Sequence, residues 1–110
     1  IEAIDSVYIF VEEMPEFPGG LPAMYEFMGD NIKYPKISAK AGSQGQAYVN
    51  FTIEKNGDIT DVKILGGSAD KRCKKEAVRV AACMPKWKPG VQQGKKVRVS
   101  YTLPVRFVLD

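Results

Sequence analysis

From Lys95 to Asp110 the sequence alternates almost without interruption. Val97, Val99, Tyr101, Leu103, Val105, Phe107 and Leu109 fall on one face, with Arg98, Ser100, Thr102 and Arg106 between them. A period of two sustained over that length specifies one long β-strand with one buried face. A strand of about thirteen residues runs roughly 43 Å at about 3.3 Å per residue, whereas the other clear strands of the chain span about seven to nine residues. Part of its length is therefore expected to lack a partner within the domain. An unpaired row of backbone N–H and C=O groups is a template for another chain, so this strand is the first place to look for function.

The chain has 110 residues, 45% of them hydrophobic, which suffices for one compact core and is too little for two. Its net charge is +3, from 16 Lys plus Arg against 13 Asp plus Glu dispersed along the sequence, an excess too small and too scattered to argue for nucleic acid. No apolar run approaches the roughly twenty residues of a membrane span, so the chain reads as a soluble fragment, with any anchoring segment expected upstream. There is no histidine. Neither a Ser-His-Asp nor a Cys-His arrangement can then be built, no calcium-loop or phosphate-loop spacing is present, and neither cofactor nor metal is expected. The reading is a non-enzymatic one. Cys73 and Cys83 fall on one expected helix, about 15 Å apart at a rise of about 1.5 Å per residue, beyond the roughly 7 Å limit for a disulfide, so both are expected as free thiols.

Residues 1–13 read as an N-terminal arm or linker with a short strand in it, since Val7, Ile9 and Val11 alternate with Tyr8 and Phe10. Pro15, Pro18, Gly19 and Gly20 then break the chain, and Pro22 suits the first turn of a helix to about Asn31, with Leu21, Met24, Tyr25, Met28 and Ile32 as its core-facing stripe. Tyr34-Pro35 stops that helix. A polar loop, Lys36 to Gly45, is expected next. Ala47, Val49, Phe51 and Ile53 alternate up to Asn56-Gly57, a hairpin signal, and a two-residue turn there would set Phe51 opposite Val62 and Val49 opposite Ile64. After Gly66 and Gly67, Ser68 or Asp70 can cap a second helix with Cys73, Ala77, Val80, Ala81 and Met84 on its apolar stripe. Pro85 closes it, and Trp87 plugs the end of the core.

The string arm, helix, strand, strand, helix, strand is an α+β domain over residues 14–110: a small three-stranded antiparallel-type sheet with two helices on one face. A right-handed crossover places the last strand beside the first, giving the order 2-1-3 and leaving the long strand on an edge. Pro104 agrees, because proline within a strand is tolerated mainly at edges or bulges.

Taken in order, Pro18-Gly19-Gly20, Asn31-Ile32-Lys33-Tyr34-Pro35, Gly45 opening a strand, Asn56-Gly57-Asp58, Lys75-Glu76-Ala77, Met84-Pro85-Lys86-Trp87-Lys88-Pro89-Gly90 and the final strand resemble the C-terminal domain of the energy transducer TonB, in its Bacteroidetes-type form. The resemblance spans about residues 14 to 110. It implies a periplasmic module tethered to the inner membrane, with an ExbB/ExbD-type motor engaged through the missing N-terminal part. Its partners would be outer-membrane TonB-dependent transporters, whose TonB-box segment adds as a strand to the last strand's edge and through which proton-motive-force-derived energy drives nutrient uptake. The implied partner-binding residues are Val97, Arg98, Val99, Ser100, Tyr101, Thr102, Leu103 and Arg106, with Ile32, Lys33, Tyr34 and Pro35 as a second contact region. Those last four also read as a simple helix stop with Tyr34 over the core. Pro104 departs from the family's best-known members and confines pairing to part of the edge, most of all Arg98 to Leu103. Edge strands of this kind can also pair with a second copy of the chain. Similar domains can be fused to membrane sensors or peptidase-type regulators, and a partner-binding output domain is the alternative reading.

Overall fold

The computed structural model describes residues 6–110, with β1 (Val7–Tyr8), α1 (Gly20–Asn31), α2 (Lys36–Lys40), β2 (Gly45–Ile53), β3 (Ile59–Gly66), α3 (Lys71–Ala82), β4 (Gly90–Gln92) and β5 (Lys95–Phe107) in chain order. The sheet runs β1-β5-β2-β3, and β4 forms a short hairpin with the start of β5. Its centre keeps the expected arrangement: β2 lies between β3 and β5, antiparallel to both. The short strand read in the N-terminal arm is β1, which joins the sheet beside β5; β4 is an addition, and the stretch read as a polar loop contains the five-residue α2. Neither β4 nor α2 is long enough to display a period.

Alternation decides the core. Ala47, Val49, Phe51 and Ile53 of β2 and Val99, Leu103, Val105 and Phe107 of β5 are buried on one face. Met24 and Met28 of α1 and Cys73, Ala77, Val80 and Ala81 of α3 pack on that same face, so the helices share one side of the sheet. Small residues on the α3 stripe let the helix approach closely. Asp70 caps α3, its side chain accepting from the Cys73 backbone N–H at 2.8 Å. The second Asp70 oxygen accepts from buried Ser38 of α2 at 2.6 Å, and these hydrogen bonds, Ser38 first, hold the carboxyl well below the usual carboxylate range. Trp87 closes one end of the core, its ring 5.1 Å from Tyr101, 5.6 Å from Phe51 and 5.8 Å from Phe17. Cys73 is a buried free thiol and Cys83, at the end of α3, an exposed one.

The α1 stripe is narrower than its sequence period predicts. Met24 and Met28 are buried, but Leu21 and Tyr25 are 56% and 59% exposed, because the sheet covers only one side of the stripe.

The β2–β3 turn also differs from expectation. Gly57 N–H donates to Glu54 O and Glu54 N–H to Asp58 O, both at 2.8 Å, so three residues rather than two form the loop, with Gly57 left-handed at φ 91°. Only glycine fits there, since a Cβ would stand 2.1 Å from the Trp87 carbonyl oxygen. The extra loop residue shifts pairing near the tip, where Ile53 faces Ile59 and Thr52 faces Thr60. An irregularity between Asn50 and Thr52, beside left-handed Asp61, then restores the expected register at Val49 opposite Ile64, and the predicted pairing of Phe51 with Val62 is lost to it.

Candidate functional site

The two sides of β5 are not equally occupied. One side is ladder-bonded to β2 from Val99 to Phe107. On the other, β1 runs parallel to it, setting Val7 against Arg98 and Tyr8 against Val99. Beyond Val99 no described strand covers that outer side. At the start of β5, Lys95, Lys96 and Val97 pair with Gln92, Val91 and Gly90 of β4. The overhang expected from strand length is thus taken up by a hairpin, and the open edge lies at the far end.

Pro104 indicates which groups face outward. It sits opposite Tyr48 without a shift in register on either side. A residue lacking N–H holds such a place when its nitrogen points away from the partner strand. Backbone groups alternate along a strand, so the N–H groups of Ser100, Thr102 and Arg106 face outward with it and those of Val99, Tyr101, Leu103 and Val105 face β2. Asn50 Nδ2 of β2 lies 3.3 Å from the Tyr101 carbonyl, as that orientation requires. Parallel pairing sets Tyr8 against Val99 and so engages the Ser100 N–H, and the outward ladder offers a donor at Thr102, a gap at Pro104, and a donor again at Arg106.

Beside that gap, a groove of about 370 Å³ opens between Tyr25, Met28 and Gly29 of α1, Ile32 just after it, and residues 103–106 of β5, with Gln46 of β2, the register partner of Arg106, also in its wall. Its walls are mostly apolar. Arg106 is its fixed charge.

The near end of β5 is built differently. Arg98 Nε lies 2.8 Å from Glu54 Oε1, and its guanidinium extends to Asp61 at 4.0 Å. Hydrogen bonding to Arg98 holds the Glu54 carboxyl below its usual range. Tyr101 enters the Trp87 ring cluster, and burial pushes its phenol up.

The structure brings together only some of the residues expected to bind a partner. Val97, Val99 and Leu103 are buried and Tyr101 is half-buried in the ring cluster, which leaves their side chains in the core. Val97 is further enclosed by β4, and Arg98 and Val99 lie against β1. Thr102 and Arg106 lie along the open edge, and Ser100, just before it, is still engaged by β1. In the second region, Ile32 lines the groove, but Lys33 donates its backbone N–H to Glu76 Oε2 at 2.7 Å. Arg79 bridges Glu76 and the Asn31 carbonyl, so this segment is strapped to α3. Tyr34 packs edge-on against Phe107 at 5.5 Å and donates to the Ser43 carbonyl, and burial raises its phenol pKa. Pro35 leads into α2. Tyr25, Met28 and Gly29 are site-lining residues that sequence reasoning assigned to the core or passed over. Their one sequence signal is an α1 stripe wider than a three-stranded sheet can cover.

A family model described as Gram-negative bacterial TonB protein C-terminal matches residues 30–109. Among solved structures, the fold is similar to that of the Helicobacter pylori TonB-CTD in two forms, each at a TM-score of 0.59 and 21% identity. The form spanning residues 179-285 aligns over 79% of this chain and 78% of that one, and the form spanning 194-285 over 78% and 89%. The Pseudomonas aeruginosa TonB CTD aligns with a TM-score of 0.51 and 24% identity, over 69% of this chain and 78% of that one. At such identities the likeness is one of fold. No curated protein matches the chain.

Proposed function

This chain belongs to the Gram-negative bacterial TonB protein C-terminal family, and we propose that it is the periplasmic partner-binding domain of a TonB-type energy transducer. In this reading it grips outer-membrane TonB-dependent transporters by adding a segment of the transporter as a strand to β5, and it passes on energy delivered by an ExbB/ExbD-type motor through a tether in the inner membrane. One observation carries the reading: the outer edge of β5 is uncovered by any described strand from Thr102 to Phe107, on a strand anchored along its other side by β2. An anchored, open edge suits force transmission, because a segment paired to it pulls along hydrogen bonds loaded in shear and backed by the whole sheet. Contact is expected at Thr102 and Arg106, where donors face outward, with the side chains of Val97, Val99, Tyr101 and Leu103 holding the strand in place from the core.

Titration of the labelled domain with synthetic peptides from periplasm-facing segments of outer-membrane transporters tests this. Amide shifts should cluster on Thr102 and Arg106. Shifts clustered at the hairpin tip around Asn56, with β5 silent, would overturn it.

A further inference from the structure

The helix layer carries a charge that its own folding does not call for, and we infer that α2 and the first half of α3 form a docking surface for an anionic lipid bilayer. Residues 31–41 and 68–83 hold eight Lys or Arg against two carboxylates, a balance of +6 in a chain whose net charge is +3, which leaves −3 for the remainder. The excess is gathered on one face. Ser38 is buried and donates to Asp70, the cap of α3, which sets the five-residue α2 beside the start of α3 and turns Lys36 and Lys40 outward. On α3, the buried stripe of Cys73, Ala77, Val80 and Ala81 leaves Lys71, Arg72 and Lys75 exposed. Both carboxylates of this region are engaged within it: Asp70 accepts from Ser38 and the Cys73 N–H, and Glu76 from Arg79 and the Lys33 N–H. Among the described residues, no ion pair engages Lys36, Lys40, Lys71, Arg72 or Lys75.

Local physics argues against this placement. Lys71, Arg72 and Lys74 occupy the first turn of α3, where the helix dipole favours carboxylates and none is present. Lys36 with Lys40, and Lys71 with Lys75, are like charges one helical turn apart, an unfavourable pair on either helix. Charge held against the helices' own preference points outside the fold. A lipid surface also accounts for which residues are there. Four of the five unpaired cations are lysines, point charges on flexible stems that can follow a fluid array of phosphates, where a fixed carboxylate would favour the guanidinium fork. Ile37 follows Lys36 and is 60% exposed, an aliphatic side chain placed to enter the boundary between headgroups and acyl chains. Because α3 packs over β2 and β3, a bilayer against the helices leaves the outer edge of β5 open, and the inference stands apart from the strand-addition reading.

Vesicle flotation tests it, with the domain added to vesicles of phosphatidylcholine alone or of phosphatidylcholine mixed with phosphatidylglycerol, at low and at high salt. The domain should float with the phosphatidylglycerol vesicles only, and come off as salt shortens the screening length. Lys71→Gln with Lys75→Gln should weaken binding about tenfold, and Lys36→Gln with Lys40→Gln about as much. Because each pair removes a like-charge repulsion, melting temperatures should stay level or rise, which separates lost docking from lost folding. Lys95→Gln with Lys96→Gln removes the same charge from the β4–β5 hairpin and should weaken binding less than about twofold. Ile37→Ser should cost about threefold and keep the salt dependence. Equal losses from the three lysine pairs would reduce the effect to net charge and overturn the surface, as would equal flotation with and without phosphatidylglycerol. Amide shifts on α2 and α3 produced by glycerol phosphate alone, or by raising the protein concentration alone, would assign the face to a free phosphate or to a second copy of the chain and overturn the bilayer.

Discussion

The two halves of β5 carry the same alternating pattern and keep different company. In the near half, Lys95 to Tyr101, the strand is hemmed by β4, crossed by β1, clamped by the Arg98–Glu54 pair and backed by the Trp87 ring cluster. In the far half, Thr102 to Phe107, it keeps β2 on one side and no described strand on the other, with a groove between it and α1. Alternation determines which side chains are buried and is equally strict in both halves. What stands beside a strand's edge depends on segments elsewhere in the chain, and these stop at Val99. In the proposed function the near half is the anchor and the far half the handle.

That division is open to attack from both ends. The largest effect should come from Trp87→Ala, which empties the ring cluster and is expected to cost about 3–5 kcal/mol in urea unfolding. The exposed groove residue Tyr25 should cost no more than about 0.5 kcal/mol when changed to alanine. Comparable losses at the two sites would erase the distinction. Next, Thr102→Pro removes an outward donor while leaving the β2 ladder whole. It should weaken transporter-peptide binding about tenfold and change stability by less than about 1 kcal/mol. A loss of several kcal/mol in thermal unfolding would mean that the Thr102 N–H faces β2 after all.

Arg98→Met probes the clamp, a partly solvent-screened pair expected to contribute about 1 kcal/mol. Glu54 has its carboxyl pKa lowered in the folded domain, mainly by Arg98. A lowered folded value means stability is fully present above the ordinary carboxylate value and is lost as pH falls through the folded one. Melting temperatures measured from pH 7 downward should fall on the acid side, less steeply in Arg98→Met than in the wild type. Identical slopes would remove the clamp from the near half. The smallest effect is expected from deleting residues 1–10, which spares the Glu13–Val91 bridge and uncovers Arg98 and Val99. Peptide affinity should rise about two- to threefold as the ladder gains one step, since a net backbone hydrogen bond contributes roughly 0.5–1.5 kcal/mol. Unchanged affinity in calorimetry would mean the partner never reaches the near half.

How much of this was legible in the sequence follows the same division. Long periodic segments gave β5, β2, β3, α1 and α3 with their buried faces, because periodicity registers burial directly. Trp87 and the Asp70 cap were readable from the residues around them. The hairpin's loop length was not, because Asn56-Gly57 suits both a two-residue turn and the longer loop closed by Glu54 and Asp58. Nor was β4, whose three residues are set by tertiary pairing rather than pattern, whereas the short strand read in the arm is present as the two residues of β1. The candidate site shows both cases at once. The edge was visible in the length of β5 and in Pro104, whereas the groove was hidden because Tyr25 belongs to an apolar stripe that looks no different when the sheet fails to cover it.

The central claim is that the outer edge of β5 is free beyond Val99 and receives the partner strand there. Residue-resolved hydrogen exchange on the dilute domain, with and without a bound transporter peptide, tests it most directly. Tyr101, Leu103 and Val105 should exchange slowly in both states, while Thr102 and Arg106 should exchange fast in the free domain and become protected once the peptide binds. Protection of Thr102 and Arg106 already in the free, monomeric domain, or their continued fast exchange under a saturating peptide, would contradict the account.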